Sequence, residues 1–280
     1  MSTTVNPLRQ YFRQPAIYVK LPSQGEYWTP GSLHPMPNNE YPVLPMTAID
    51  EITYRTPDSL FNGEAVVSVI KSCMPNVLDA WAAPSVDVNA LLIAIRIASY
   101  GHDLEVGTTC PKCGTAADYT LDLRTVLDQV TMPDYSTTLT HGDLSIIFKP
   151  MDYRTQHEIN MQQFEQQRLI QVIPNSDLPD DEKIQRLNEA VQKITELTVT
   201  TIQHSIAAIR TPQAMVTELE FIAEFLTQCD RKIFNAIKEQ VIKLRQQTDI
   251  KPMFIKCDNC GHEYEQPLTL DMASFFAPAS

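Results

Sequence analysis

Apolar positions alternate in short runs near both ends of the chain and fall at helical spacing through its middle. Ala16–Leu21, rich in Ile, Tyr and Val, and Tyr41–Met46 predict strands. Between and around them Pro22, Pro30, Pro35, Pro37, Pro42, Pro45 and Pro57 are too frequent for a long helix. Residues 1–60 therefore predict an extended, Pro-rich N-terminal arm laid over a scaffold. Its aromatics Tyr11, Phe12, Tyr18, Tyr27 and Trp28 are available either for packing within the chain or for anchoring a partner. Gly63–Ser72 predicts a helix closed by Pro75. Val88–Tyr100 predicts another, capped by Asp87 at its start and by Gly101 just past its end. Leu91, Leu92, Ile95 and Ala98 give that second helix an apolar face, with Arg96 at its edge.

Strand-like patterns return at Asp118–Leu123 and Ser136–Lys149, the latter turning at Gly142-Asp143. From Asp152 to Thr248 the period is helical. It predicts Tyr153–Val172, Asp180–Arg210, a third helix opened by Thr211-Pro212, and Asp230–Gln247. Ile184, Leu187, Val191 and Ile194 step by three, four and three, as do Phe234, Ile237, Val241 and Leu244. That is the spacing of a coiled-coil seam. It fits antiparallel packing inside the chain, or a helical arm flanked by Gln162, Gln163, Gln166 and Gln167 that docks on another protein or on a copy of itself.

Charge narrows the partners. The 280 residues carry 22 Lys+Arg against 34 Asp+Glu, a net charge of −12, and no segment is basic. Nucleic-acid affinity rests largely on cations that neutralise phosphates, so a uniformly acidic chain is a poor binder of nucleic acid or anionic membrane. The longest apolar run, Ala90–Ile95, is far short of the roughly 20 residues of a membrane span. The start of the chain, Met1–Pro7, has no basic and apolar leader pattern, which predicts a cytosolic, reducing compartment. No glycine spacing matches a phosphate loop or a dinucleotide fingerprint, and G-x-S-x-G and H-E-x-x-H are both missing. His102-Asp103 and Asp50-Glu51 are the only local acid–base material, and neither spacing assembles a catalytic constellation. The expectation is a non-enzymatic protein with protein partners.

The sharpest signal lies in the cysteines. Cys110-Pro-Lys-Cys113-Gly and Cys257-Asp-Asn-Cys260-Gly are two C-x-x-C pairs, each followed by glycine. Two cysteines three apart on a tight turn can aim both thiolates at one tetrahedral Zn²⁺, and the glycine lets the turn adopt positive φ. Leu121 and Leu123 follow the first pair at the distances at which Leu268 and Leu270 follow the second, as if two hairpins faced each other. With 143 residues between Cys113 and Cys257, closure costs about 2 kcal/mol more than in a compact ribbon. A structural zinc contributes an apparent ~10–16 kcal/mol, so the long insertion is tolerable. The expected ligands are Cys110, Cys113, Cys257 and Cys260, holding one structural Zn per chain. His262 beside the second pair is the weaker alternative ligand, and Cys73 and Cys229 read as small buried hydrophobes. Disulfide and thioredoxin-like readings fit less well in a reducing compartment with no helix opening at either pair.

The predicted fold class is α+β. A discontinuous domain, residues 61–150 and 250–280, is closed by a split four-cysteine zinc ribbon, with an inserted all-helical subdomain at 151–249. Two functions compete: a structural or assembly protein, and a zinc-ribbon nucleic-acid-binding regulator. The latter is poorly served by Lys112, Lys251 and Lys256 as the only cations near the pairs.

The order of Leu21-Pro-Ser-Gln-Gly25, Pro45-Met-Thr47, Asp50-Glu51, Thr56-Pro-Asp58, Gly63 and Arg96-Ile-Ala-Ser-Tyr-Gly101 leading into Cys110–Gly114 resembles the baseplate proteins of T4-like contractile-tailed phages. The likeness covers roughly residues 16–125. The family includes a hub subunit and a hub-assembly factor. The resemblance implies a non-enzymatic bacteriophage tail protein that acts in the host cytoplasm during assembly of the central baseplate hub or remains in the virion baseplate. Its implied partners are other hub or tail proteins.

Overall fold

The structure, a computed structural model, describes residues 6–54, 63–248, 250–267 and 275–276. Ile17–Lys20 (β1) and Glu40–Val43 (β2) pair antiparallel, with Ile17 opposite Val43 and Lys20 opposite Glu40. Their inward side chains Val19, Tyr41 and Val43 are buried, so this Pro-rich stretch is woven into the core rather than laid over it. Helix α1 (Ala48–Tyr54) opens on a reciprocal cap. Thr47 Oγ1 accepts the Asp50 N–H at 3.2 Å, and Asp50 Oδ2 accepts the Thr47 N–H at 2.7 Å.

Helix α2 (Glu64–Cys73) starts after Gly63, whose φ of +73° side-chain-bearing residues rarely adopt; a Cβ there would also lie 2.7 Å from the Trp81 ring. Helix α3 (Ser85–Tyr100) is buried along most of its length and forms the axis of the first core, with Val86, Val88 and Ala90–Ile95 all buried. Two charged groups on it differ from expectation. The helix begins at Ser85, so Asp87 is not its cap but a buried side chain in the first turn. It accepts from the Ser23 N–H at 2.9 Å, the Ser23 hydroxyl and Trp28 Nε1 at 2.8 Å, and thereby holds the β1–β2 connection. Arg96, expected at the edge, is 2% exposed. Its Nε donates to the Phe275 carbonyl at 2.9 Å and its guanidinium lies over the Tyr100 ring. Phe276 packs edge-on against Tyr54, so the two ends of the chain meet in this core.

Asp103–Thr109 (β3) and Ala116–Asp122 (β4) form a hairpin, followed by α4 (Leu123–Gln129). Leu139–His141 (β5) and Leu144–Phe148 (β6) turn at Gly142, as the pattern predicts. Then come α5 (Tyr153–Val172) and α6 (Asp180–His204), an antiparallel helical hairpin.

The expected all-helical insertion is corrected here. Rather than running to Arg210, the helix stops at His204, and Ile206–Arg210 (β7) pairs with β6. Met215–Val216 (β8) adds a fourth strand, in the order β5-β6-β7-β8. The cause is non-local. Ile206 and Ile209 are buried beside Ile146 and Phe148, a partner that helical periodicity cannot register. Thr211-Pro212, expected to open a helix, instead makes the β7–β8 turn, with Thr211 Oγ1 accepting the Gln213 and Ala214 N–H groups. The third helix, α7, spans Leu219–Gln228, and α8 spans Arg231–Gln246.

This sheet, α7, α8 and the end of α6 enclose a second core. Of the two seam-like stretches, the one in α8 points inward, with Ile237, Val241 and Leu244 buried. The one in α6 does so only in part, leaving Ile184 58% and Val191 55% exposed. Met253–Lys256 (β9) and Glu263–Gln266 (β10) form a last hairpin. Leu268 and Leu270, half of the expected repeat, lie outside the described residues. Among the described residues no helix is long and apolar enough to cross a membrane.

Candidate metal centre

Each C-x-x-C pair occupies the turn of a two-stranded hairpin, the first between β3 and β4 and the second between β9 and β10. The two turns are built alike. Cys110 N–H donates to the Thr115 carbonyl at 2.9 Å, and Cys257 N–H to the His262 carbonyl at 2.9 Å. Gly114 N–H donates to the Cys110 carbonyl and Gly261 N–H to the Cys257 carbonyl. Both glycines have positive φ, +71° and +68°, which is why glycine follows the second cysteine in each motif.

The hairpins meet head to head. Cys110 Sγ lies 3.7 Å from Cys260 Sγ, and Cys113 Sγ lies 3.6 Å from Cys257 Sγ. All four sulfurs are within 4.8 Å of one another. Four thiolates about 2.3 Å from a tetrahedral Zn²⁺ stand about 3.8 Å apart, so the cluster is compatible with a Zn–S₄ site. The arrangement is two-fold in character: in each pair the first cysteine is buried and the second exposed, and each buried sulfur faces an exposed one.

Electrostatics point the same way. Hydrogen bonds from Thr115 bring Cys113 down to about 5. At Cys260 the His262 backbone acts downward, but loss of hydration among the crowded sulfurs and bonds to them outweigh it and push the thiol up to about 12. One thiolate is thus favoured while the next proton is held, because crowded sulfurs cannot all be anionic without a cation among them. A divalent ion held among them would supply that charge.

Sequence reasoning missed the residues that join the hairpins. Asn259 Nδ2 donates to Thr115 Oγ1 at 3.0 Å and reaches Cys113 Sγ at 3.8 Å. Thr108 Oγ1 donates to Gln266 Oε1 at 2.8 Å, and the Tyr119 hydroxyl reaches the Lys256 carbonyl at 3.4 Å. Only the polar identity of positions beside each pair could have signalled them.

The other candidates fall outside the cluster. His262 stacks on Tyr264 and contributes its carbonyl, not its ring, to the turn. Cys73 is fully buried beside Arg13, with its thiol pushed up to about 12 by burial, and Cys229 is half-buried at the end of α7. His102 Nε2 and Asp103 Oδ1 are 3.5 Å apart, with both side chains well exposed. Asp50 and Glu51 are spent on structure, the first in the α1 cap and the second accepting from the Tyr100 hydroxyl. Among the arm's aromatics Tyr11, Phe12, Tyr18 and Tyr27 are exposed, while Trp28 is held by Asp87.

A family model described as T4 bacteriophage base plate protein matches residues 15–277, nearly the whole length, and the chain belongs to that family. No curated protein and no solved structure matches it.

Proposed function

We propose that this baseplate-family protein is a non-enzymatic structural or assembly component of the hub region of a contractile phage tail. In this reading one structural Zn²⁺, held by Cys110, Cys113, Cys257 and Cys260, joins two stretches of chain separated by 143 residues. The observation that carries it is the convergence of four sulfurs within 4.8 Å, in a chain whose family is that of a tail baseplate. Four protein thiolates complete a tetrahedral shell and leave no position for substrate, which favours a staple over a catalyst. The exposed Tyr11, Phe12 and Tyr18 near the N-terminus suit contacts with other hub or tail proteins.

Two measurements test the reading. Elemental analysis of the purified protein is expected to give one zinc per chain, and freely reactive thiols with no bound metal would refute the site. Mass spectrometry of virions and of assembly intermediates is expected to find the protein in hub-containing particles. Its absence from both would refute the hub role while leaving the metal site standing.

A further inference from the structure

The α5–α6 hairpin carries three distinct faces. On α6 the residues turned toward α5 are Leu187, Ala190, Ile194, Leu197 and Thr201, all buried or half-buried. Between Ile184 and Thr198 every charged side chain, Arg186, Glu189, Lys193 and Glu196, lies on a second stripe. The remaining arc, at the 100° per residue of a helix, holds Ile184, Asn188, Val191, Thr195 and Thr198 and has no charge at all. On α5 the inward positions Ile159, Gln163, Gln166 and Ile170 fix the same geometry, and Asn160, Phe164, Gln167 and Gln171 flank them. In an antiparallel pair these flanks fall on one side. One face of the hairpin is therefore uncharged and exposes Phe164, Ile184 and Val191 at 50%, 58% and 55%.

The ends of this face are not neutral. At the tip, Asp181 lies on the same arc one turn before Ile184. At the base, Lys238 and Arg245 of α8 line a groove with Thr198 and Thr201. Asp181, Lys238 and Arg245 have no ion-pair partner among the described residues. The acidic tip and the basic base stand on opposite sides of Val191, roughly 15 Å away in each direction along the helix.

We propose that this face is a two-fold interface on which a second copy of the chain docks through its own α5–α6 hairpin, antiparallel and centred near Val191. A two-fold interface must be complementary to itself. An uncharged strip of Asn, Gln and Thr around Ile184 and Val191 satisfies that condition without bringing like charges together, in a chain of net charge −12. The antiparallel arrangement also sets Asp181 of each copy against Lys238 and Arg245 of the other. A parallel arrangement would put like charges together. The interface depends neither on the zinc nor on the hub assignment.

The test is sedimentation equilibrium of the full-length, metal-loaded protein. The wild type is expected to associate as a dimer at micromolar concentration. Val191→Glu, a change at an exposed position that leaves the fold intact by circular dichroism, is expected to weaken the dimer by roughly a hundredfold or more, since two buried apolar contacts and two charges are affected per dimer. Glu189→Gln on the charged stripe is expected to change nothing. Asp181→Lys is expected to weaken association by roughly tenfold, and adding Lys238→Glu with Arg245→Glu to restore it. A monomeric wild type overturns the proposal. So does a dimer indifferent to Val191→Glu, or a charge reversal that the compensating pair does not rescue.

Discussion

The core around α3 and the pair of cysteine hairpins are both closed by residues from the far end of the chain, by opposite means. In the core, Phe275 and Phe276 arrive as buried side chains, and the Phe275 carbonyl is taken by Arg96. Burial is extensive there, and a single polar contact only sets the register of the arriving segment. The hairpins have almost nothing to bury: β3, β4, β9 and β10 contribute Thr108 and Ile255 besides the first cysteine of each turn. Two-stranded hairpins are marginal in water on their own. The difference accounts for the gathering of four thiols at one closure, whereas the cysteine of the other, Cys73, is packed as an ordinary core side chain. The proposed metal would act where apolar area is too small to offset chain entropy.

The largest effect expected from this contrast follows from removing the proposed zinc. Chelation, or Cys257→Ser, removes an interaction worth an apparent ~10 kcal/mol or more. Hydrogen exchange should then show β3, β4, β9 and β10 losing protection while α3 and α8 retain theirs. Simultaneous loss in α3 would mean that the two closures are one cooperative unit, and the comparison would fail.

The reverse experiment acts on the other closure. Arg96→Ala leaves the Phe275 carbonyl without its donor and opens space beside Tyr100, at a cost of about 3 kcal/mol in urea unfolding. The zinc content should stay at one per chain. A variant that loses its metal would show that the tail's docking onto α3 positions the second cysteine pair.

A subtler separation uses pH, because the α3 core holds two carboxylates shifted in opposite senses. At Asp50 burial acts upward, but bonds from Thr47 and Ser72 and the charge of Arg13 outweigh it and hold the group below its ordinary value. Its contribution is present above the unfolded carboxylate pKa and lost as pH falls through the depressed folded value. Asp87 is raised, chiefly by burial against the opposing bonds of Ser23 and Trp28. Its folded form holds the proton more tightly, so stability is lost as pH rises from the unfolded value through the raised one. Asp50→Asn should cost about 1 kcal/mol at neutral pH through the weakened α1 cap and should flatten the acid limb of the stability profile. Asp87→Asn should flatten the limb just above the ordinary carboxylate range. Profiles unchanged by both variants would remove these residues as the source of the pH dependence.

Local signals explain what could be foreseen. The C-x-x-C-G spacing specifies a turn with inward sulfurs whatever lies between, so the cluster could be anticipated across 143 residues. The start of α8 at Asp230, the turn at Gly142 and the end of α3 at Gly101 likewise depend on neighbours in sequence. What escaped depends on distant partners. Ile206-Ala-Ala-Ile209 suits a helix as well as a strand until β6 offers its edge. Arg96 looks like a solvated boundary residue until the tail brings a carbonyl to it, and Asp87 like a cap until Ser23 and Trp28 reach it.

The smallest expected effect bears on the hairpins themselves. Lys256 and Glu263 face each other across β9 and β10 at 3.7 Å, with side chains 69% and 77% exposed. An ion pair so solvated contributes little, and Lys256→Ala should change the thermal transition of the metal-loaded protein by less than ~0.5 kcal/mol. That null result matters because it limits what else could close this end of the molecule. If the substitution instead cost more than ~1 kcal/mol, cross-strand pairing would be holding the hairpin in its own right. The four thiols would then be reinforcing a structure able to form without them, rather than making it.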